Sequence, residues 1–427
     1  MRRLSTLASL LAAAAVIGTT VPAVAQDPVA FTMWTKEGEA DGSFQFVQKL
    51  AADYTAAHPG VTINVVNKSV ENLRTDFLTT SIARQAPELL WTVSDHVGPF
   101  TASDTIQSVD ELVDLSTFLP NALQSVQLDG KTWGLPVSFG NNLMLYTNTD
   151  LMAACPADTD AWIAAAKTAT TGGNYGIAYP QTESFWLVPF LGAFGGSVFA
   201  EDGSATLDTP AMVSALSFLK DLKFTQGVMP AEADYAVMDG MFKNGVSPVD
   251  PNASLAPSAT PPPTGVAASV INGDWTAGAY ADLFGDKLNI CPIPQVTGAD
   301  FPKPYVAGTY LMFSKDLAGD AAKQAAVLEF AKYATDTPQQ LEMVAALKRL
   351  PGTNAAFNDP IVTGDALLSK VAAAAAMGVG TPGNLEMRCI FDAMTTGIKS
   401  IYTNADADPQ GVATQMQTDY SNDANCQ

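Results

Sequence analysis

The sequence predicts an α/β protein built as two lobes, and three observations carry that reading. Apolar runs with strand spacing alternate with helically spaced ones through the first hundred or so residues, and the pattern restarts after Leu143. Four of the six tryptophans also stand where an apolar run meets a turn: Trp34, Trp91, Trp186 and Trp275. Strand ends are where α/β folds bind ligands, and a flat indole covers the apolar face of a sugar ring or stacks on a ligand. The expectation is a cleft lined by aromatics.

Taken in order, residues 1–25 carry the three parts of an export leader. Arg2 and Arg3 come first, then an apolar stretch over 7–17 too short to span a bilayer, then the small-residue site Ala23-Val24-Ala25. Cleavage there would start the product near Gln26, outside the cytoplasm. No cysteine closely follows the apolar stretch to take a lipid anchor, and no later segment has the roughly 18 consecutive apolar residues of a membrane span.

Residues 29–34 read as a buried strand. Helical spacing follows over 44–57 through Phe46, Val47, Leu50 and Tyr54, and stops at His58-Pro59-Gly60. An alternating strand at 61–66, a helix at 73–83 and a third strand at 87–93 complete a strand-helix-strand-helix-strand series, which implies right-handed crossovers and a parallel sheet. Asp129-Gly130-Lys131 is a turn, and it leads into an extended run over 133–139 and an apolar strand over 143–146.

The second series comprises a helix at 159–168, a strand at 175–179, a helix at 185–194 closed by Gly195-Gly196, and an amphipathic helix at 210–226. A strand at 267–271 and a short helix at 276–284 follow. Proline-rich residues 247–264 have little to bury and read as a surface loop within this lobe. Residues 288–293, 310–313 and a helix over 321–335 resume the α/β pattern, and the remainder is mostly helical. Trp133 and Trp162 read as packing residues.

The balance of charge narrows the partners. There are 43 acidic residues against 22 basic ones, a net charge of −21, and removal of the leader with Arg2 and Arg3 deepens the excess. Such a surface repels phosphate backbones and anionic headgroups, so neither nucleic acid nor a membrane surface is an expected partner. With 47% hydrophobic residues the acidity is that of a solvated surface and not of disorder. Cys155, Cys291, Cys389 and Cys426 form an even set in an oxidising compartment. Three pairings are open, among which Cys155 with Cys291 and Cys389 with Cys426, a clamp on the tail, is favoured over the other two; buried free thiols are the competing reading.

Motifs for catalysis are scarce. The chain has no Gly-x-Ser-x-Gly elbow, His-Glu-x-x-His helix, Cys-x-x-Cys or Walker loop, and only two histidines, His58 and His96. His58 sits at a helix end, where it favours the dipole. Gly378-Val379-Gly380-Thr381-Pro382-Gly383 matches a dinucleotide pattern formally, but it follows an alanine-rich helix and reads as a flexible turn. Asp95 and Glu183 fall on different lobes beside aromatics, so a glycosidase pair is imaginable. For sugar binding the same acids have a simpler task, accepting hydrogen bonds from hydroxyls while indoles cover the C–H face. Trp34, Trp91 and Trp275 each adjoin polar turn residues: Lys36, Glu37 and Glu39; Ser94, Asp95 and His96; Asn272, Gly273 and Asp274.

Several segments, in their order, resemble the extracytoplasmic solute-binding proteins of ABC importers, the large class that includes maltose-binding protein. Residues 34–44 look like the family's first strand and ligand loop. Pro87-Glu88-Leu89-Leu90-Trp91-Thr92-Val93-Ser94-Asp95-His96 resembles a segment whose end contacts sugar. Asp129-Gly130-Lys131-Thr132-Trp133-Gly134-Leu135-Pro136-Val137 is similar to the approach to the first hinge, and Leu145-Tyr146-Thr147-Asn148-Thr149-Asp150-Leu151 to the strand after it. The most specific pieces are Pro189-Phe190-Leu191-Gly192-Ala193-Phe194-Gly195-Gly196 and Ala268-Ser269-Val270-Ile271-Asn272-Gly273-Asp274-Trp275, the latter resembling the family's Asn-Gly-x-Trp; Leu350-Pro351-Gly352-Thr353 looks like its later Leu-Pro turn.

The resemblance implies a type II periplasmic-binding-protein fold, two α/β lobes joined by a three-crossing hinge. The crossings are expected near 136–139, 291–295 and 334–338. One lobe would take residues 26–136 and 294–335, the other 137–293 and 336–427. Stacking falls to Trp34, Trp91, Trp186 and Trp275, and hydroxyl recognition to Glu37, Asp95, His96, Asn141, Glu183, Asp274 and Arg388. His96 replaces an arginine common in maltose binders, Asn141 and Asn142 fall near a position often held by Glu, Arg388 lies near a late cleft tryptophan, and the proline-rich insertion has no counterpart.

The function so implied is that of an extracytoplasmic substrate-binding protein of an ABC importer, periplasmic or extracellular and monomeric. It would capture a sugar or oligosaccharide between its lobes and deliver it to the membrane permease, with no catalytic residue, metal or cofactor. The alternatives are an exported glycan-active hydrolase using Asp95 and Glu183, and an adhesion or scaffold protein without ligand-dependent closure.

Overall fold

A computed structural model describes residues 28–39, 42–200, 202–246 and 265–423. The expected leader, the proline-rich loop at 247–264 and Cys426 lie outside the described residues.

The first sheet runs in the order Leu350–Pro351, Leu135–Gly140, Tyr305–Ser314, Leu89–Val93, Val29–Thr35, Val61–Asn67. Its N-terminal three strands are parallel, as strand-helix-strand alternation requires. Tyr305–Ser314 enters antiparallel between Leu89–Val93 and Leu135–Gly140, so the sheet is mixed where a parallel one was expected. Both faces are covered. Leu89, Trp91, Leu311 and Phe313 point to one face, beneath the helices Ser43–Ala57 and Ala321–Thr335, while Leu90, Tyr310 and Met312 point to the other, against Leu73, Phe77 and Phe100. That two-residue alternation buries large side chains on both faces of Leu89–Val93 and Tyr305–Ser314, each contributing about 1.5–3 kcal/mol.

The second sheet runs Leu288–Cys291, Leu143–Asn148, Ala267–Gly273, Tyr175–Ala178. Its core gathers Tyr146, Leu216, Phe242 and Ile398. Trp162 packs here and donates its indole N–H to Ser269 Oγ at 3.0 Å, so the one polar atom it buries is satisfied. Side chains at helix starts cap exposed amides: Ser69 before Val70–Ile82, Asp158 before Thr159–Ala169, Thr209 before Pro210–Phe224 and Asp234 before Tyr235–Lys243.

The helix expected over 185–194 is broken into a 3-10 turn, Ser184–Trp186, and a helix, Val188–Ala193. Pro189 has no N–H to continue the ladder, which accounts for the break. The Gly378–Gly383 segment is not the flexible turn expected. Val379–Gly380 forms a short strand parallel to Tyr305–Ser314, and Thr381 donates its N–H to Val306 O at 3.2 Å. Glycine is required at its start, since a Cβ on Gly378 would lie 2.1 Å from Val306 Cγ2.

The chain passes between the sheets later than expected at two places. Leu135–Gly140 stays in the first sheet to its end, and Asn141 (φ 50) turns the chain into Leu143–Asn148. Residues 293–304 remain on the second core through Ile293 and Val296, held by Asp300 N to Ala193 O (3.1 Å) and Lys303 N to Pro189 O (3.0 Å), and rejoin the first sheet at Tyr305. The helix Thr337–Leu347 then straddles both, sending Met343 and Leu347 into one core and Val344 into the other. Cys155 and Cys291 form a disulfide across 5.8 Å between Cα atoms. Cys389 is also disulfide-bonded.

Candidate functional site

A cavity of about 700 Å³ opens between the two sheets. On the second-sheet side its wall is aromatic. Trp186 follows Glu183 on the 3-10 turn, and its indole N–H donates to Ile271 O at 2.7 Å, which pins the ring. Trp275, on the turn Asp274–Thr276 that ends Ala267–Gly273, stands edge to face with Trp186 at 6.2 Å and donates its N–H to Tyr235 Oη at 3.0 Å. Its ring folds back over the backbone of Gly273, where a Cβ would lie 2.1 Å from it. Glycine at that position lets the indole lie down. Phe185 and Tyr235 flank Trp186, at 5.9 Å each, and Phe391 faces Phe185 at 6.4 Å.

The first-sheet wall is charged. Glu37, almost wholly buried, accepts from Arg349 Nη1 at 2.7 Å and from the Trp91 indole at 3.1 Å, with Lys36 Nζ at 3.2 Å. Burial pushes its carboxyl up, but Arg349 and Lys36 together overcome that and hold it down at about 2. Asp95, on the turn Ser94–His96, looks into the cavity, and burial raises its pKa against the pull of Arg388 and Arg74. Across the cavity, burial followed by the charge of Asp234 raises Glu183.

Arg388 spans the two sides. It rises from Met387–Thr403, binds Asp392 at 2.9 Å one helical turn away, and reaches Glu71 of Val70–Ile82 at 2.6 Å. Lys243 is similarly occupied by Asp239 at 2.7 Å, and Asp239 also accepts from Tyr280 Oη at 2.7 Å.

Of the residues expected at the site, Glu37, Asp95, Asn141, Glu183, Trp186, Trp275 and Arg388 line this cavity. Four do not. Trp91 is 2% exposed and lies under the helices of the first core, because alternation along Leu89–Val93 turns it away; its service to the site is to hold Glu37. Trp34 packs on the opposite face of that sheet, with Lys68 Nζ 4.3 Å over its ring. His96 is turned inward where Asp95 turns outward, bonded to Thr92 Oγ1 at 2.8 Å and kept neutral by burial, its pKa lowered to about 3. Asp274 is buried behind the wall, occupying the space a Gly140 side chain would take, and burial outweighs Arg349 to bring its pKa to about 6.

Sequence reasoning missed Arg349, Tyr235, Phe391 and Glu71. Phe391 was the most accessible of these: it stands three residues after Arg388 on one helix face. Arg349, immediately before Leu350-Pro351, gave no local signal, since its partner Glu37 is distant in sequence.

Comparison with known proteins places this geometry in context. The family model described as bacterial extracellular solute-binding protein matches residues 49–370. An Escherichia coli (strain K12) protein named provisionally as an ABC transporter periplasmic-binding protein, YcjN, is 28% identical over 219 residues, 48% of this chain and 50% of that one. The maltodextrin-binding protein MdxE of Bacillus subtilis (strain 168) is 22% identical over 270 residues, 60% of this chain and 59% of that one. The chain thus spans only half to three-fifths of the length of these curated relatives. Among solved structures, the maltose/maltodextrin-binding domain MalE from Bdellovibrio bacteriovorus, bound to maltotriose, superposes with a TM-score of 0.81 at 26% identity, over 92% of this chain and 99% of that one. The maltotriose-binding protein of Thermus thermophilus gives 0.79 at 22% identity, over 91% and 98%. The fold is therefore the type II periplasmic-binding fold expected.

Proposed function

We infer the function from one premise: the chain belongs to the bacterial extracellular solute-binding protein family. The protein captures a sugar or oligosaccharide between two lobes and hands it to the permease of an ABC importer. The first lobe is built on residues 28–140 with 305–335 and takes the short strands Leu350–Pro351 and Val379–Gly380, and the second is built on 141–304 with most of the chain after 336, the helix Thr337–Leu347 being shared. In this reading it works as a monomer outside the cytoplasm, as the extracellular solute-binding family implies for its location.

The observation that carries this reading is the cavity between the sheets, with Trp186 and Trp275 edge to face on one wall and carboxylates on the other. An indole face and a set of hydrogen-bond acceptors are what a ring with apolar C–H faces and an equatorial belt of hydroxyls requires. A cavity of about 700 Å³ falls in the range for small-molecule sites. Differential affinity for open and closed conformers supplies the signal to the permease, and a dissociation constant on the order of 1 μM would suit capture and release.

Tryptophan fluorescence titrated with mono- and oligosaccharides, with polyols and amino acids as controls, tests the reading. Saturable changes with sugars alone support it, and a response to amino acids alone overturns it. Trp275→Ala is expected to weaken sugar binding more than tenfold with Tm nearly unchanged. A variant that unfolds while its residual folded fraction binds normally would assign Trp275 to the core instead. The hydrolase alternative requires product from oligosaccharide substrates; stoichiometric binding without product removes it.

A further inference from the structure

The cavity's cations are all occupied by its own carboxylates. Lys36 and Arg349 both bind Glu37, Lys243 binds Asp239, and Arg388 is shared between Glu71 and Asp392. Two acids are left over, one on each side of the cavity: among the described residues, neither Asp95 nor Glu183 has a cation within 4.0 Å, although both line the space.

The charges that act on them from further away do not restore the balance. Asp95 feels Arg388 and Arg74, but each of these is already engaged with Glu71. Glu183 feels Lys399, and against it both Asp234 and Glu71. The net result is two carboxylates, one on the charged wall and one beside the aromatic wall, that lack a directly paired cation among the described residues, in a half-buried space where low polarity makes an unmatched charge costly. Burial accordingly favours the protonated form of both. A neutral sugar would hydrogen-bond to them and leave the charge unmatched. The aromatic rings beside Glu183, Phe185 and Trp186, with Trp275 next to them, supply π faces, which suit a cation as well as a sugar C–H face.

Building on the sugar-binding reading above, we propose that the preferred ligand is a cationic sugar, an oligosaccharide bearing at least one free amine, whose ammonium is held between Asp95 and Glu183. The ligand then supplies the positive charge that the wall lacks, and the same contact draws the two lobes together.

The test compares three β-(1→4)-linked trisaccharides by calorimetry and tryptophan fluorescence: the glucosamine trimer with free amines, its fully N-acetylated counterpart, and cellotriose, with maltotriose as a fourth probe. The amine trimer is expected to bind at least tenfold more tightly than any of the neutral sugars, with an affinity that falls as salt is added. Asp95→Asn and Glu183→Gln should each lower amine-trimer affinity about tenfold, well beyond the loss each causes for the neutral sugars, and should remove most of the salt dependence of amine-trimer binding, a charge-specific signature that a general loss of structure would not give. Equal or tighter binding of any neutral sugar, or full amine preference in both variants, overturns the charge inference and leaves the proposed function standing. Absence of binding by all four sugars overturns the proposed function itself.

Discussion

Glu37 and Arg349 form a buried pair contributed from opposite ends of the chain, and their energetics are asymmetric. Replacing both with apolar groups could be neutral, but removing one leaves the other charged and dry. Glu37→Gln is therefore expected to destabilise the protein by about 3–5 kcal/mol, read as a lowered midpoint in urea denaturation. The pH dependence follows from the same pair. A carboxyl whose folded pKa lies near 2, below its ordinary 4.5, contributes stability that is fully present above about 4.5 and lost as pH falls through 2. Asp274 has the opposite sign: raised from 3.8 to about 6, it costs stability above 6, and that cost disappears on acidification toward 3.8. Asp274→Asn should then raise Tm at pH 7 relative to the parent by more than it does at about pH 4. An equal effect at both would mean that Asp274 titrates normally.

At the scale of elements, the parts legible in the sequence are those set by local chemistry. Strand periodicity and the Asp129-Gly130 turn, with both residues in the left-handed region (φ 54 and 70), depend on near neighbours. So does the placing of Trp186 and Trp275, since each follows a strand or turn that ends at the cavity. The rest depended on contacts invisible in the order of residues. Which face Trp34 and Trp91 present is decided by which side of the first sheet the helices cover, and the register of Leu135–Gly140 on Tyr305–Ser314 decides where the hinge begins. Gly273 marks the boundary between the two kinds of information: the Asn-Gly-Asp-Trp string is readable, but the reason for its glycine, an indole lying on the backbone, is tertiary. Gly273→Ala is expected to lift Trp275 off its seat, weakening sugar affinity at least tenfold and removing the ligand-induced change in indole emission. Unaltered emission and affinity would show that the ring can shift without cost.

For the whole molecule, the question is what sets the balance between open and closed lobes. Arg388 binds Glu71 across the cavity at 2.6 Å while held by Asp392 on its own helix, so one guanidinium ties the second-sheet side to the first without any ligand. Both partners are substantially exposed, with Arg388 at 34% and Glu71 at 51%, and a pair of that kind contributes only about 0.2–1 kcal/mol. A contribution of that size cannot hold the lobes shut, but it can bias an equilibrium by up to about fivefold, because every 1.4 kcal/mol is tenfold. Glu71→Ala should therefore open the unliganded protein slightly, seen as a larger radius of gyration in solution scattering, and weaken apparent ligand affinity by about two- to fivefold, with the change carried by a faster off-rate. High salt should reproduce the effect in the parent and have little further effect in the variant. A variant with unchanged scattering and unchanged off-rate would mean that the lobes are held by the hinge strands and the shared helix Thr337–Leu347 alone.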